Sequence, residues 1–143
     1  MEIRAFADGD QSRVVAVWVA CDLTRPWNNP AADIDRKVAM GDDLFLVGEV
    51  GGEIVGTVMG GYDGHRGWVN YLAVDPDHQN GGLARLLMRE LERRLLARGC
   101  PKVNLQVRTA NRAAMAFYER IGYTPDAVAS YGRRLIEEEP DSS

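Results

Sequence analysis

Between Val74 and Ala84 the chain reads VDPDHQNGGLA, and two adjacent glycines, Gly81 and Gly82, stand directly before a long helical pattern. A glycine turn into a helix leaves several backbone N–H groups without intrahelical partners. They converge, with the positive end of the helix dipole, on whatever anion is near. The chemistry such a loop does is to hold a phosphate, and Gln79, Asn80, Gly81, Gly82, Leu83 and Ala84 form the candidate cradle. The loop lacks the lysine and following Ser or Thr of a P-loop, so nothing in it would hold a β/γ-phosphate or its magnesium. It also lacks the G-x-G-x-x-G order of a dinucleotide fingerprint and the acidic residue that motif needs. A diphosphate held by backbone amides remains, although an ordinary turn into a core helix would use the same two glycines.

The elements that must position this loop can be read from either side of it. Before it, Asn70, Leu72 and Val74 alternate with Tyr71 and Ala73 in a strand that Asp75, Pro76 and Asp77 break. After it, Leu83 to Arg98 reads as a helix with a buried stripe of Ala84, Leu87, Met88, Leu91 and Leu95, stopped by Gly99 and Pro101. Upstream, Met1 to Phe6 is a strand. Asp10 is placed to cap a helix from Gln11 to Cys21, whose inner face is Val14, Val15, Trp18 and Val19. Pro26 and Pro30 interrupt the chain around Trp27, and a second helix follows from about Ala32 to Met40. Leu44 to Val50 and Glu53 to Met59 form a hairpin across Gly51 and Gly52. Glycines 60, 61, 64 and 67 bracket a second hairpin around Tyr62, Asp63, His65 and Arg66. A strand from Lys102 to Val107, a helix from Arg112 to Ile121 and a last strand from Val128 to Leu135 complete the order, with a frayed acidic tail from Glu137 to Ser143.

With 143 residues the chain has the length of one domain. Hydrophobic residues at 45% and charged ones at 27% are the profile of a soluble globular protein. A net charge of −4 argues against a nucleic-acid partner, since phosphate-backbone binding needs a basic surface. No apolar run approaches the roughly 20 residues of a membrane span, and no signal peptide opens the chain. Two cysteines, Cys21 and Cys100, read as thiols in a reducing compartment, so the expected location is the cytoplasm. Neither His65 nor His78 has a Cys or carboxylate at metal spacing, so no metal site is expected.

Val74, Pro76 and the run Gln79, Asn80, Gly81, Gly82, Leu83, Ala84 resemble the V-x-P-x-x-[QR]-x-x-G-x-[GA] signature of the GNAT acyltransferases. A second signature follows at the expected distance: Asn111, Ala114, Met115, Phe117, Tyr118, Arg120, Gly122 and Tyr123 match N-x-x-A-[ILM]-x-[FL]-Y-x-[RK]-x-G-[FY]. The similarity runs from about Met1 to Ile136. Within the family it is greatest to the YpeA-type bacterial branch, through CDLTRPWN and GGYDGHRG. The resemblance implies the GNAT fold, an α/β (α+β) architecture with a strongly twisted, mixed but mainly antiparallel sheet and helices on both faces, as a single domain over residues 1–136.

It further implies an N-acetyltransferase that takes acetyl-CoA as donor and a primary amine of a small molecule or protein as acceptor, by direct attack in a ternary complex. The loop from Gln79 to Ala84 would bind the pyrophosphate. The strand Leu72, Ala73, Val74 would pair with the pantetheine arm, as a sheet edge accepts an added strand, and Asn111 would bind the arm from the other side. A backbone N–H near Ala73 or Val74 would face the developing oxyanion. Tyr118 would be the catalytic residue, donating to the departing thiolate. The connection between the first two helices lines the acceptor side in this family, which makes Arg25, Trp27 and Asn28 candidate substrate contacts; Asp63 and His65 are further candidates from the second hairpin. Ribosomal-protein N-terminal acetyltransferases, similar around LQVRTAN, carry a glutamate base where this chain has Gln106, which leaves Glu49, Asp63, His65 or a water chain as the base. A non-catalytic CoA-binding module is the alternative, and monomer and homodimer both stay open.

Overall fold

A computed structural model describes residues 1–137 of the protein. The chain separates into a unit from Met1 to Leu105 and another from Gln106 to Glu137. The first contains β1 (Glu2–Ala5), α1 (Gln11–Ala20), α2 (Pro30–Ala39), β2 (Phe45–Val50), β3 (Glu53–Tyr62), β4 (Gly67–Val74), a 3₁₀ turn (Pro76–His78), α3 (Leu83–Ala97) and β5 (Val103–Leu105). Its five strands lie side by side in chain order. The first three pairings are antiparallel; β4 and β5, joined through α3, are parallel. This is the mixed, mainly antiparallel sheet that the resemblance implied. Among the described residues no helix is long and apolar enough to cross a membrane.

The two faces of the sheet are built differently. On one, Phe45, Val47, Met59 and Ala73 pack with Val14, Val17 and Trp18 of α1 and Ile34 of α2 into one buried cluster. On the other, β2, β3 and β4 present Gly48, Gly56, Gly60 and Gly67 to α3 and the residues just after it. A Cβ on Gly60 would stand 2.3 Å from Leu91 Cδ1, and one on Gly48 or Gly56 would stand 2.9 Å from Leu83. The leucines of α3 therefore occupy the space where side chains of the sheet would otherwise be. Leu83, Leu87, Met88, Leu91 and Leu95 are all buried, each such side chain contributing about 1.5–3 kcal/mol by leaving water.

Several expectations are corrected. Asp10 does not cap α1 with its side chain; its carboxylate turns back to accept from the Ala7 N–H and from Arg4. Val17 takes the inner position expected for Val19, which is 58% exposed. Helix α2 starts earlier than expected because Pro30 fits the first helical turn and the Asn29 side chain caps it through the Ala32 N–H. The strand expected over Lys102–Val107 shrinks to Val103–Leu105. Strict alternation in β4 fails as well. Thr57 pairs with Ala73 but Met59 pairs with Asn70, so two steps on β3 span three on β4 and the strand carries a bulge.

In the unit from Gln106 to Glu137, α4 spans Arg112–Arg120 and ends at Gly122, whose φ of 104° suits a residue without a Cβ. The strand expected over Val128–Leu135 does not form. Its large apolar residues Val128, Tyr131 and Leu135 are at least 79% exposed, and their spacing does not alternate, so no single strand face could bury them. Glu137 is the only residue of the expected acidic tail among those described.

Candidate active site

The glycine loop is held at both ends. At its start, Asp75 donates its N–H to the Val55 carbonyl at 2.7 Å. Its carboxylate accepts from the Asp77 N–H at 3.0 Å, which starts the 3₁₀ turn. Arg13 of α1 locks this corner: its Nε donates to the Ile54 carbonyl at 2.7 Å, and its Nη2 reaches Glu53 at 2.9 Å and Asp75 at 3.4 Å. At the far end, Leu83 is seated against Gly48 and Gly56, which brings the first turn of α3 down onto the sheet beside the end of β4.

Between these anchors the backbone is opened rather than closed. Asn80 and Gly82 have φ of 69° and 81°, and Gly82 is the N-cap of α3 with no side-chain cap bond. The first N–H groups of α3 are thus served by no capping side chain. A glycine N-cap, unlike Ser, Thr or Asp, brings no side-chain oxygen to these N–H groups. Gln79 turns away from the loop and donates through Nε2 to the Val74 carbonyl at 3.0 Å, tying the loop to the strand before it.

The strand before the loop is half-partnered. The parallel ladder to β5 covers Gly67 to Val69 only, whereas β4 runs on to Val74 with its ladder to β3. Leu72, Ala73 and Val74 therefore lie beyond the last pairing with β5 and lead straight into the glycine loop. Ala73 and Val74 are buried and Leu72 half-buried.

Among the proposed acceptor contacts, Asn28 is drawn to β4: its amide donates to the Tyr71 hydroxyl at 3.0 Å, while its own oxygen accepts from the Arg25 N–H at 2.6 Å. The Arg25 guanidinium folds back on the Asp22 carbonyl at 2.7 Å and carboxylate at 3.2 Å. Trp27 is 50% exposed on the same connection. Asp63 and His65 stand in the turn between β3 and β4, at the opposite end of β4 from the glycine loop. The Asp63 carboxylate closes that turn by accepting from the His65 and Arg66 N–H groups, and these bonds, Arg66 first, lower its pKa. Glu49, another candidate base, is held by Arg4 at 2.7 Å. Tyr71 and Thr57, which sequence reasoning did not single out, prove central to how β4 is held. No residue type marked them, because a tyrosine in a bulge looks like any strand tyrosine.

In the unit from Gln106 to Glu137, the Asn111 side-chain oxygen caps α4 through the Ala114 N–H at 3.0 Å, a task that leaves its amide N–H groups available as donors. Tyr118 is half-buried, edge-on to Phe117 and Tyr123. Burial pushes its pKa up to about 12. The Gln106 amide donates to the Ser130 hydroxyl. Among the described residues no three His, Cys, Asp or Glu side chains gather as a metal site.

Residues 13–123 match the Acetyltransferase (GNAT) family. The chain is 52% identical over 140 residues to Acetyltransferase SG1711 of Sodalis glossinidius (strain morsitans), covering 97% of this chain and 99% of that protein. Among solved structures, a putative acetyltransferase from Agrobacterium tumefaciens superposes with a TM-score of 0.75 at 17% identity, covering 94% of this chain and all of that one. Naa20 of Chaetomium thermophilum, solved with a bisubstrate analogue, superposes with a TM-score of 0.69 at 26% identity, covering 87% of this chain and 71% of that one. With the glycine loop, the mixed sheet and a relative that shares half its residues end to end, this chain belongs to the GNAT acetyltransferases and is an acyltransferase.

Proposed function

We propose that residues 1–136 work as one domain that moves the acetyl group of acetyl-CoA to a primary amine of a small molecule or protein, by direct attack of the amine in a ternary complex. The end of β4 carries this reading: a strand that outruns its β5 partner leads into a helix start with no capping side chain. The first suits an extended amide-bearing arm, the second a diphosphate. Acetyl-CoA supplies the activated thioester. The amides from Gln79 to Ala84 hold its pyrophosphate, the main chain of Leu72, Ala73 and Val74 aligns the pantetheine arm, and an N–H at Ala73 or Val74 stabilises the oxyanion. Asn111 and Tyr118 are assigned by their places in the second motif, Asn111 to the arm through its amide and Tyr118 to the departing sulfur. The acceptor approaches from the Arg25–Asn28 connection. Free thiols at Cys21 and Cys100 suit a reducing cytoplasm.

Calorimetric titration with acetyl-CoA and with CoA tests the cradle on wild type and Gly82→Pro, a substitution that a φ of 81° forbids. Micromolar binding lost in the variant supports the assignment, whereas no binding by the folded wild type sinks it. Gln106, an amide that takes no proton where related enzymes carry a glutamate, favours one second reading, a CoA-binding module without catalysis. Incubation with acetyl-CoA and a panel of amines separates the two, since only the enzyme releases thiol.

A further inference from the structure

Tyr71 is the strained point of the donor strand. Its φ of 51° lies in the left-handed region, unusual for a bulky residue, and it sits within the bulge where β4 carries one residue more than β3. Something must hold the strand in this form, because without the bulge the pairing would revert to plain alternation. A one-residue slip turns every following side chain, and every following N–H and C=O, to the opposite side. The bulge thereby decides which main-chain groups of Leu72, Ala73 and Val74 face β3 and which face away from it.

The hold comes from below the sheet. The Trp18 indole N–H donates to Thr57 Oγ1 at 2.9 Å, and the Thr57 hydroxyl donates in turn to the Tyr71 carbonyl at 2.8 Å. Trp18 and Thr57 are both fully buried. The Tyr71 ring lies flat on Trp18, with centroids 3.7 Å apart and planes within 10°. At its far end the Tyr71 hydroxyl donates to Asp33 Oδ2 at 2.6 Å. The Thr57 hydroxyl touches the bulge main chain directly, and it is oriented by a donor that can do nothing else. An indole N–H only donates, so the Thr57 proton is directed to the carbonyl.

We propose that Thr57 is a positioning residue for the acyl donor: through the Tyr71 carbonyl it fixes the register of the bulge, and with it the set of main-chain groups that Leu72–Val74 offer to the pantetheine arm. The inference rests on the reading of Leu72–Val74 as the donor strand. Thr57→Val keeps the shape and removes the hydroxyl; Thr57→Ser keeps the hydroxyl; Val14→Ala is a destabilised reference in the same core that does not touch β4's bulge bond. Each is titrated calorimetrically with acetyl-CoA, and its melting temperature is measured.

The expected result is acetyl-CoA binding weakened about tenfold in Thr57→Val, within about twofold of wild type in Thr57→Ser, and unchanged in Val14→Ala despite its lower melting temperature. Wild-type affinity in Thr57→Val, or an equal loss in Thr57→Ser, overturns the proposal while leaving the donor site intact. A folded wild type that binds no acetyl-CoA overturns both. Should Thr57→Val fail to fold, Thr57→Ala removes the same hydroxyl with less bulk and is judged by the same two affinities.

Discussion

Burial that raises the Tyr118 hydroxyl to about 12 bears directly on what it can do. A CoA thiol titrates near 8.5, so in the role proposed for Tyr118 a tyrosine this weakly acidic would keep its proton and donate a hydrogen bond that spreads the charge of the departing sulfur. Tyr118→Phe is therefore expected to lower kcat about 10- to 1000-fold without abolishing turnover, with acetyl-CoA affinity unchanged by calorimetry. The wild-type pH–rate profile should rise with amine deprotonation and show no fall assignable to Tyr118 at pH 7–10. The same shift has a stability consequence. The folded state favours the protonated phenol, so this contribution is complete below pH 10 and is lost as pH climbs towards 12. At the glycine loop, Gly81 directly precedes Gly82, the glycine of the V-x-P-x-x-[QR]-x-x-G signature, where a basic side chain would stand beside a bound diphosphate. Gly81 has no left-handed φ, and a Cβ there would meet only the His78 carbonyl, at an ordinary 3.7 Å. Gly81→Arg should fold and should tighten CoA binding by about 0.3–1 kcal/mol, an increment that added salt should erase.

The stripe of glycines beneath α3 is the element on which the loop's position depends. Gly60→Ala would drive a methyl into Leu91, and the overpacking should cost about 1–3 kcal/mol, read as a lower urea midpoint with an unchanged slope. Much of this level was legible beforehand, because the helices and the Gly51–Gly52 hairpin are signalled locally by periodicity and by residues that tolerate positive φ. The glycine loop was legible for the same reason. The bulge at Tyr71 was not: it is held by Trp18 and Thr57, 53 and 14 residues away along the chain, and no local pattern carries that. The strand expected over Val128–Leu135 failed for the converse reason. Aromatic and β-branched residues raise strand propensity, but a strand also needs an alternating face and a partner ladder. Among the candidate site residues, Gly81 and Gly82 were legible by type as a turn into a helix, whereas Asp63 is a turn-closing carboxylate whose local task only its two N–H partners reveal.

Among the described residues, several acidic side chains are tied down by arginines. Hydrogen bonds from Arg93 and then Arg94 hold Glu90 down at about 2; Arg4 lowers Asp10 and Arg98 lowers Asp43. Each folded-state pKa lies below its unfolded value, so this stabilisation is present above about pH 4.5 and is lost as pH falls towards 2. Urea midpoints should hold from pH 7 to 5 and fall steeply below 4, and the fall should be shallower in Glu90→Gln, which has already lost its share. Solvent screens these surface pairs, so each contributes little alone. Arg13 has a different consequence, one of timing. It joins the first helix to the Ile54 carbonyl 41 residues on and to Asp75 62 residues on. Contacts of such long range close late on a folding route, after local helices and hairpins. The corner that anchors the glycine loop exists only where Arg13, Ile54 and Asp75 have been brought together, so a ligand seated there would recognise only molecules in which that assembly was complete.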